Sequence, residues 1–216
     1  MNLHGSDASS LNTPIILEAR KEFESMSSTC YQHRTQVNRV KGIYRYDCVG
    51  FVSYALRQAT PQAWKTVFKL TGIARGRIPS PRSYRKFFAE LQEKKLTGWE
   101  PITKGSSLLP GDIVAWELTN AKSVGHAVVI GTSPVALPNN QFLAEVYDST
   151  SSPHGDDSRP NDMRAEILFS TGRRSGLGHG MMVFSCDPHT GSINGLRWSP
   201  SAKLKLVPIF AGRPTY

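Results

Sequence analysis

No run in the 216-residue sequence approaches the ~20 consecutive apolar residues that span a bilayer, so no membrane span is expected. The first residues, MNLHGSDASSLNTP, lack the basic start and apolar block of a secretory signal. The compartment stays open: periplasm or cell wall if an export leader has been removed, cytoplasm otherwise. Cysteine is scarce. Cys30, Cys48 and Cys186 are too scattered for a disulfide framework and form no CxxC pair of the metal-binding kind, so at least one thiol is expected to stay free. There is no internal repeat, and no recognised nucleic-acid motif, so no nucleic-acid partner is expected. Acidic residues are outnumbered, 17 Asp and Glu against 26 Lys and Arg. The resulting formal charge of +9 favours anionic surroundings such as nucleic acid, acidic lipid or an acidic cell-wall polymer, without choosing among them.

What is present predicts one α+β domain over 15–216, expected as a monomer, behind a loose Ser-, Asn- and Gly-containing arm at 1–14. Ile16, Ala19, Phe23 and Met26 fall on one face of a first helix. In YDCVGFVSYAL, Asp47 is a good N-cap, and Val52, Ala55, Leu56 and Ala59 follow at helical spacing until Thr60-Pro61 stops them. Gly50 costs that helix ~1 kcal/mol relative to Ala, which predicts close approach of another element. Further helix is expected in PQAWKTVFKL and YRKFFAELQEKK, joined by the basic connector ARGRIPSPRS. Beyond Pro101 the texture turns to β: GDIVAWEL, GHAVVIGT, FLAEVYDST, a hairpin of HGMMVFSCD with SINGLRWS, and a last strand in KLKLVPIF. Helices first and meandering strands second predict N-terminal helices packed on an antiparallel sheet. SPHGDDSRPNDMR, 152–164, reads as a long surface loop. The glycines of STGRRSGLGHG suggest a phosphate loop only weakly, since no P-loop frame surrounds them.

Cys48 falls in the first turn of the second helix, where the dipole and free N–H groups favour an anion. His126 opens the strand GHAVVIG, and Asp148 lies near the end of the next strand. If those strands are antiparallel neighbours, His126 and Asp148 share one edge of the sheet, and the helix start can face it. A thiol that attacks amides needs such an imidazole to share its proton and a polar group to orient the ring.

These residues resemble the NlpC/P60 cysteine peptidases of the papain-like class. DCVGFV matches the family's nucleophile motif D-C-S-G-F-V, LLPGDIVAW its proline-glycine-aspartate turn into a strand, and GHAVVIG its G-H strand. VYDST aligns with the family's V-I-H-A-S and puts Asp148 at the histidine's place. The resemblance covers roughly 31–150. It implies a papain-like fold, Cys48 as nucleophile, His126 as general base and acid, Asp148 as orienting group, and peptidoglycan stem peptides as substrate, with no cofactor. The family's P-Y-x-x-G-G before the cysteine is replaced by CYQHRTQVNRVKGIYRY, in which Tyr31 takes the tyrosine's part in substrate binding, and Val49 replaces the usual serine.

Other readings stay open. His154 and His179 are rivals to Asp148 for the third position. A zinc site from Cys48, His126 and Asp148 lacks the paired spacings of most zinc motifs, and no metal is expected. An acyltransferase or deamidase acting on a protein or lipid is the runner-up, and a basic nucleic-acid-binding module with an incidental thiol ranks last. Cys30 and Cys186 read as structural, and the four tryptophans as scattered core or rim aromatics.

Overall fold

A computed structural model of the chain describes residues 13–74, 76–118 and 125–215, so all but Thr13 and Pro14 of the expected arm lies outside the described residues. The first helix, α1 (Pro14–Ser25), starts at Pro14, whose missing N–H costs nothing in a first turn. Three short strands follow, β1 (Ser28–Tyr31), β2 (Gln36–Asn38) and β3 (Ile43–Tyr46), forming a small sheet in the order β1-β3-β2. β1 and β3 are parallel and pair Tyr31 with Tyr46. Next come α2 (Cys48–Ala59), α3 (Pro61–Leu70) and α4 (Pro81–Leu91), then β4 (Trp99–Ile102), β5 (Ile113–Trp116), β6 (His126–Ile130), β7 (Val135–Leu137) and β8 (Gln141–Thr150). A two-stranded ribbon, β9 (Ile167–Leu168) with β10 (Arg173–Arg174), precedes β11 (Gly176–Cys186), β12 (Ile193–Arg197), β13 (Lys205–Leu206) and β14 (Ile209–Pro214).

The chain is α+β, with four helices among the described residues and a mostly antiparallel sheet. The large sheet runs β13-β12-β11-β8-β6-β5-β14-β4, with β7 added to β8. Side-chain alternation along its central strands sorts residues into two cores. Ile113, Ala115, Ala127, Val129 and Tyr147 face the helices. Val114, Trp116, Val128, Ile130 and Val146 face the other way and join Met182, Phe184 and Leu196. That second core closes because β12 returns against β14, curling the sheet over its own face.

α2 is the central helix. Every residue from Cys48 to Leu56 is buried, as it lies between α1, α3 and the sheet strands β6 and β8. Each large apolar side chain so enclosed contributes roughly 1.5–3 kcal/mol. The close approach expected at Gly50 is present: a Cβ there would sit 2.7 Å from both Thr35 Oγ1 and Tyr46 Cβ.

The absence of a P-loop frame around the glycines of 170–180 agrees with the structure, where Gly176–Gly180 run as a strand paired with β8 and a Cβ at Gly178 would lie 2.7 Å from the Arg159 side chain. One expectation is corrected. The segment 152–164 is not simply surface loop, since it buries His154 and Arg159 against that strand. The small sheet of β1 to β3 was not among the expected strands.

Candidate functional site

The site starts at a helix cap. Asp47 is extended, and its Oδ1 accepts from the Gly50 N–H at 2.8 Å, which fixes the first turn and places Cys48 at its head. The Asp47 carbonyl takes the Phe51 N–H. The amides of Cys48 and Val49 fall outside the helical ladder, as first-turn amides must. Cys48 is buried but borders a cleft.

β6 and β8 are antiparallel neighbours, with Val129 opposite Tyr147. The beginning of one and the end of the other therefore meet, and His126 Nε2 donates to Asp148 Oδ2 at 2.5 Å. Cys48 lies close enough to His126 for the charge on its sulfur to act on the imidazole. Since Nε2 is committed to the carboxylate, the ring presents Nδ1 to the thiol. Ser149 Oγ donates to the Tyr46 carbonyl at 2.6 Å, tying the strand that carries Asp148 to the strand that leads into Cys48. Burial disfavours a charged His126, but the charge on Cys48 and the hydrogen bond to Asp148 outweigh it, and the imidazole is pushed up to about 10.

Asp148 is fully buried, and a buried carboxylate persists only with partners. Arg159, also buried, donates from one terminal nitrogen to Asp148 Oδ1 and to its carbonyl, while Arg159 Nε reaches the Gly176 carbonyl at 2.7 Å. The other terminal nitrogen pairs with Asp157 Oδ2 at 2.5 Å. His154 Nε2 lies 2.9 Å from Asp148 Oδ2, and His154 Nδ1 lies 3.1 Å from the Trp198 carbonyl. Burial would raise the Asp148 pKa, yet Arg159, His154 and the hydrogen bond from His126 hold it well below the usual carboxylate range. The rivals thus divide. His154 joins the cluster behind Asp148, whereas His179 sits elsewhere, 3.0 Å from Glu145 and against Phe23 and Tyr147.

Two hollows flank the Cys48–His126 pair. One, of about 790 Å³, is lined by Tyr31, His33, Asp47, Cys48 and the 76–81 segment. The other, of about 500 Å³, is lined by Tyr31, Trp116, His126, Thr150 and Trp198. Tyr31 and Gly125 border both. Tyr31 is brought there by its pairing beside Tyr46 at the end of β3, and burial together with the charges of Cys48, Asp47 and Asp148 raises its phenol pKa. Sequence reasoning left the tryptophans out of the site. Trp198 stacks 4.2 Å from the His154 ring and 5.0 Å from His126, and its indole N–H donates to the Pro153 carbonyl at 2.9 Å, pinning the loop that carries His154. Trp116 lies 5.4 Å from His126, opposite it on β5.

The other thiols differ from Cys48. Cys186 is buried on β11, and burial pushes its pKa up. Cys30 lies beside Ser175 Oγ at 3.7 Å. Among the described residues the cluster with metal-ligand spacing is His126, Asp148 and His154, not the set that includes Cys48. Both imidazoles already hydrogen-bond one Asp148 oxygen, and the Arg159 guanidinium occupies the other, so a cation there would meet a positive charge across the same carboxylate. The arrangement fits a proton-sharing chain better than a metal cage. No family model, curated protein or solved structure matches this chain.

Proposed function

We propose that the protein is a papain-like cysteine amidohydrolase of the NlpC/P60 type that cleaves an amide in peptidoglycan stem peptides. One observation carries the reading: a thiol at a helix head, an imidazole beside it, and a buried, ionised carboxylate hydrogen-bonded to that imidazole, beside an open cleft. Those are the parts thiol-mediated acyl transfer requires. His126 already holds the Cys48 proton, as its raised pKa favours, and the Cys48 thiolate attacks the amide carbonyl carbon. The first-turn amides of α2 stabilise the oxyanion that forms. His126 then delivers its proton to the leaving amine, and the C–N bond breaks to leave a thioester on Cys48. Water, losing a proton to His126, attacks the thioester and releases the acid. Asp148 keeps the ring oriented and stabilises the imidazolium throughout.

Mass spectrometry of purified peptidoglycan incubated with the protein tests the proposal. Cleaved stem peptides are expected with the native chain and none with Cys48→Ala. Intact peptidoglycan with both would reject the substrate, and equal cleavage by both would reject the nucleophile.

A further inference from the structure

The hollow at Cys48 does not end there. Thr35, Gly76, Arg77 and Ile78 line it and also line a further compartment of about 410 Å³. α2 supplies that compartment's floor from Gly50, Ser53, Tyr54 and Arg57, the spacing of a single helical face. Cys48 stands at the head of α2 off that face, and from it to Arg57 the helix rises about 13 Å at ~1.5 Å per residue. That is the length of roughly four extended residues. Trp64 and Phe68 form the far wall, their rings 5.8 Å apart.

Charge along the path is one-sided. Among the described residues Arg34, Arg57 and Arg77 line the path without a carboxylate partner, although Arg57 lies over the Tyr54 ring at 5.4 Å. The one carboxylate on the path, Asp47, is occupied by the helix cap and His33. At the junction of the compartments Thr35 Oγ1 is buried with no hydrogen-bond partner, although buried hydroxyls ordinarily find one. An aromatic wall, guanidinium groups and an unpartnered hydroxyl together suit an extended chain carrying a bulky apolar group and a negative charge.

We propose that this compartment is a substrate subsite for a peptide bearing an apolar, aromatic-sized side chain with a carboxylate beside it, two to four residues from the bond attacked. The inference rests on Cys48 being the nucleophile and not on the stem-peptide substrate, which carries no aromatic side chain, and its test separates the subsite from the nucleophile. N-chloroacetyl-Gly-Gly-Phe carries an electrophilic carbon, a spacer, a ring and a carboxylate. The Cys48 thiolate displaces chloride from that carbon, forming a thioether whose site mass spectrometry identifies. Comparison reagents are N-chloroacetyl-Gly-Gly-Gly, which lacks the ring, the Phe reagent as its C-terminal amide, which lacks the charge, and N-chloroacetyl-dodecylamine, which offers an alkyl chain.

Alkylation by the Phe acid is expected to saturate with concentration and to exceed that by the Gly reagent by about tenfold, the return on burying much of one aromatic ring. The amide should fall between them. Trp64→Ala and Phe68→Ser should each bring the Phe-to-Gly ratio close to one. A ratio near one in the native protein, or a ratio unchanged in both variants, overturns the subsite. A dodecyl reagent faster than the Phe acid overturns the peptide assignment in favour of an alkyl chain. If no reagent modifies Cys48, the nucleophile reading fails, and N-acetyl-Gly-Gly-Phe titrated against tryptophan fluorescence judges the subsite alone. A saturable change lost in Trp64→Phe supports it; no change overturns it.

Discussion

Among the carboxyl groups buried in the described residues, Asp148 and Glu22 lie in neighbouring regions and meet opposite fates. Asp148 is surrounded by Arg159, His126 and His154 and stays ionised. Glu22, on α1, has only the Tyr46 hydroxyl at 2.7 Å on one oxygen and nothing on the other. Burial, opposed by that hydrogen bond and reinforced by Glu18, pushes Glu22 up to about 8. Desolvation acts on both, so the difference lies in the cations. One region spends a buried guanidinium to keep a charge where an imidazole can use it; the other tolerates a neutral acid within a helix-packing core.

The largest effect is expected where that guanidinium is removed. Arg159→Met would leave Asp148 and Asp157 buried without their main countercharge, at a cost of about 3–5 kcal/mol in denaturant unfolding. It would also make Asp148 resemble Glu22. Unfolding at native denaturant concentration would mean that Arg159 carries no such load.

Glu22→Gln sharpens the contrast from the other side. The folded protein holds the Glu22 proton up to about 8, while the unfolded carboxyl releases it near 4.5. Its contribution to stability is therefore complete below pH 4.5 and is lost as pH rises through about 8, at up to ~1.4 kcal/mol per pH unit. Asp148 has the opposite sign: its contribution is present above pH 3.8 and is lost only as pH falls toward its much lower folded value. Melting curves across pH 5–8 should slope downward in the native protein and flatten in Glu22→Gln. Parallel curves for the two would remove Glu22 as the cause.

The two regions also differ in how far the sequence discloses them. The cap Asp47, the helical spacing after it and the apolar runs around His126 and Asp148 are local patterns, and the antiparallel neighbours they predict do form. Arg159 and His154 sit in a polar, turn-rich segment whose composition reads as solvated, and their burial follows from pairing with Asp148, 11 and 6 residues earlier on β8. The glycine at 178 carries the trace of it: an unexplained small residue in a strand, needed because a long side chain crosses there. β1 to β3 leave little trace in the sequence because strands of three or four residues show too little alternation, and β1 and β3 pair in parallel across an intervening strand. Trp198 stands isolated in sequence, and the fold brings it onto His126 and His154.

The central claim is that Cys48, His126 and Asp148 act as one unit. The pH dependence of iodoacetamide labelling, read thiol by thiol by mass spectrometry in the native protein, Asp148→Asn and His179→Gln, tests it most directly, with thermal melts showing that each is folded. Cys48 is expected to be labelled before Cys30 and Cys186. Asp148→Asn, which removes the charge stabilising His126, should slow Cys48 labelling at neutral pH by about tenfold or more, and His179→Gln should leave it unchanged. Faster labelling of Cys30 or Cys186, or an unaltered Cys48 profile in Asp148→Asn, would contradict the account.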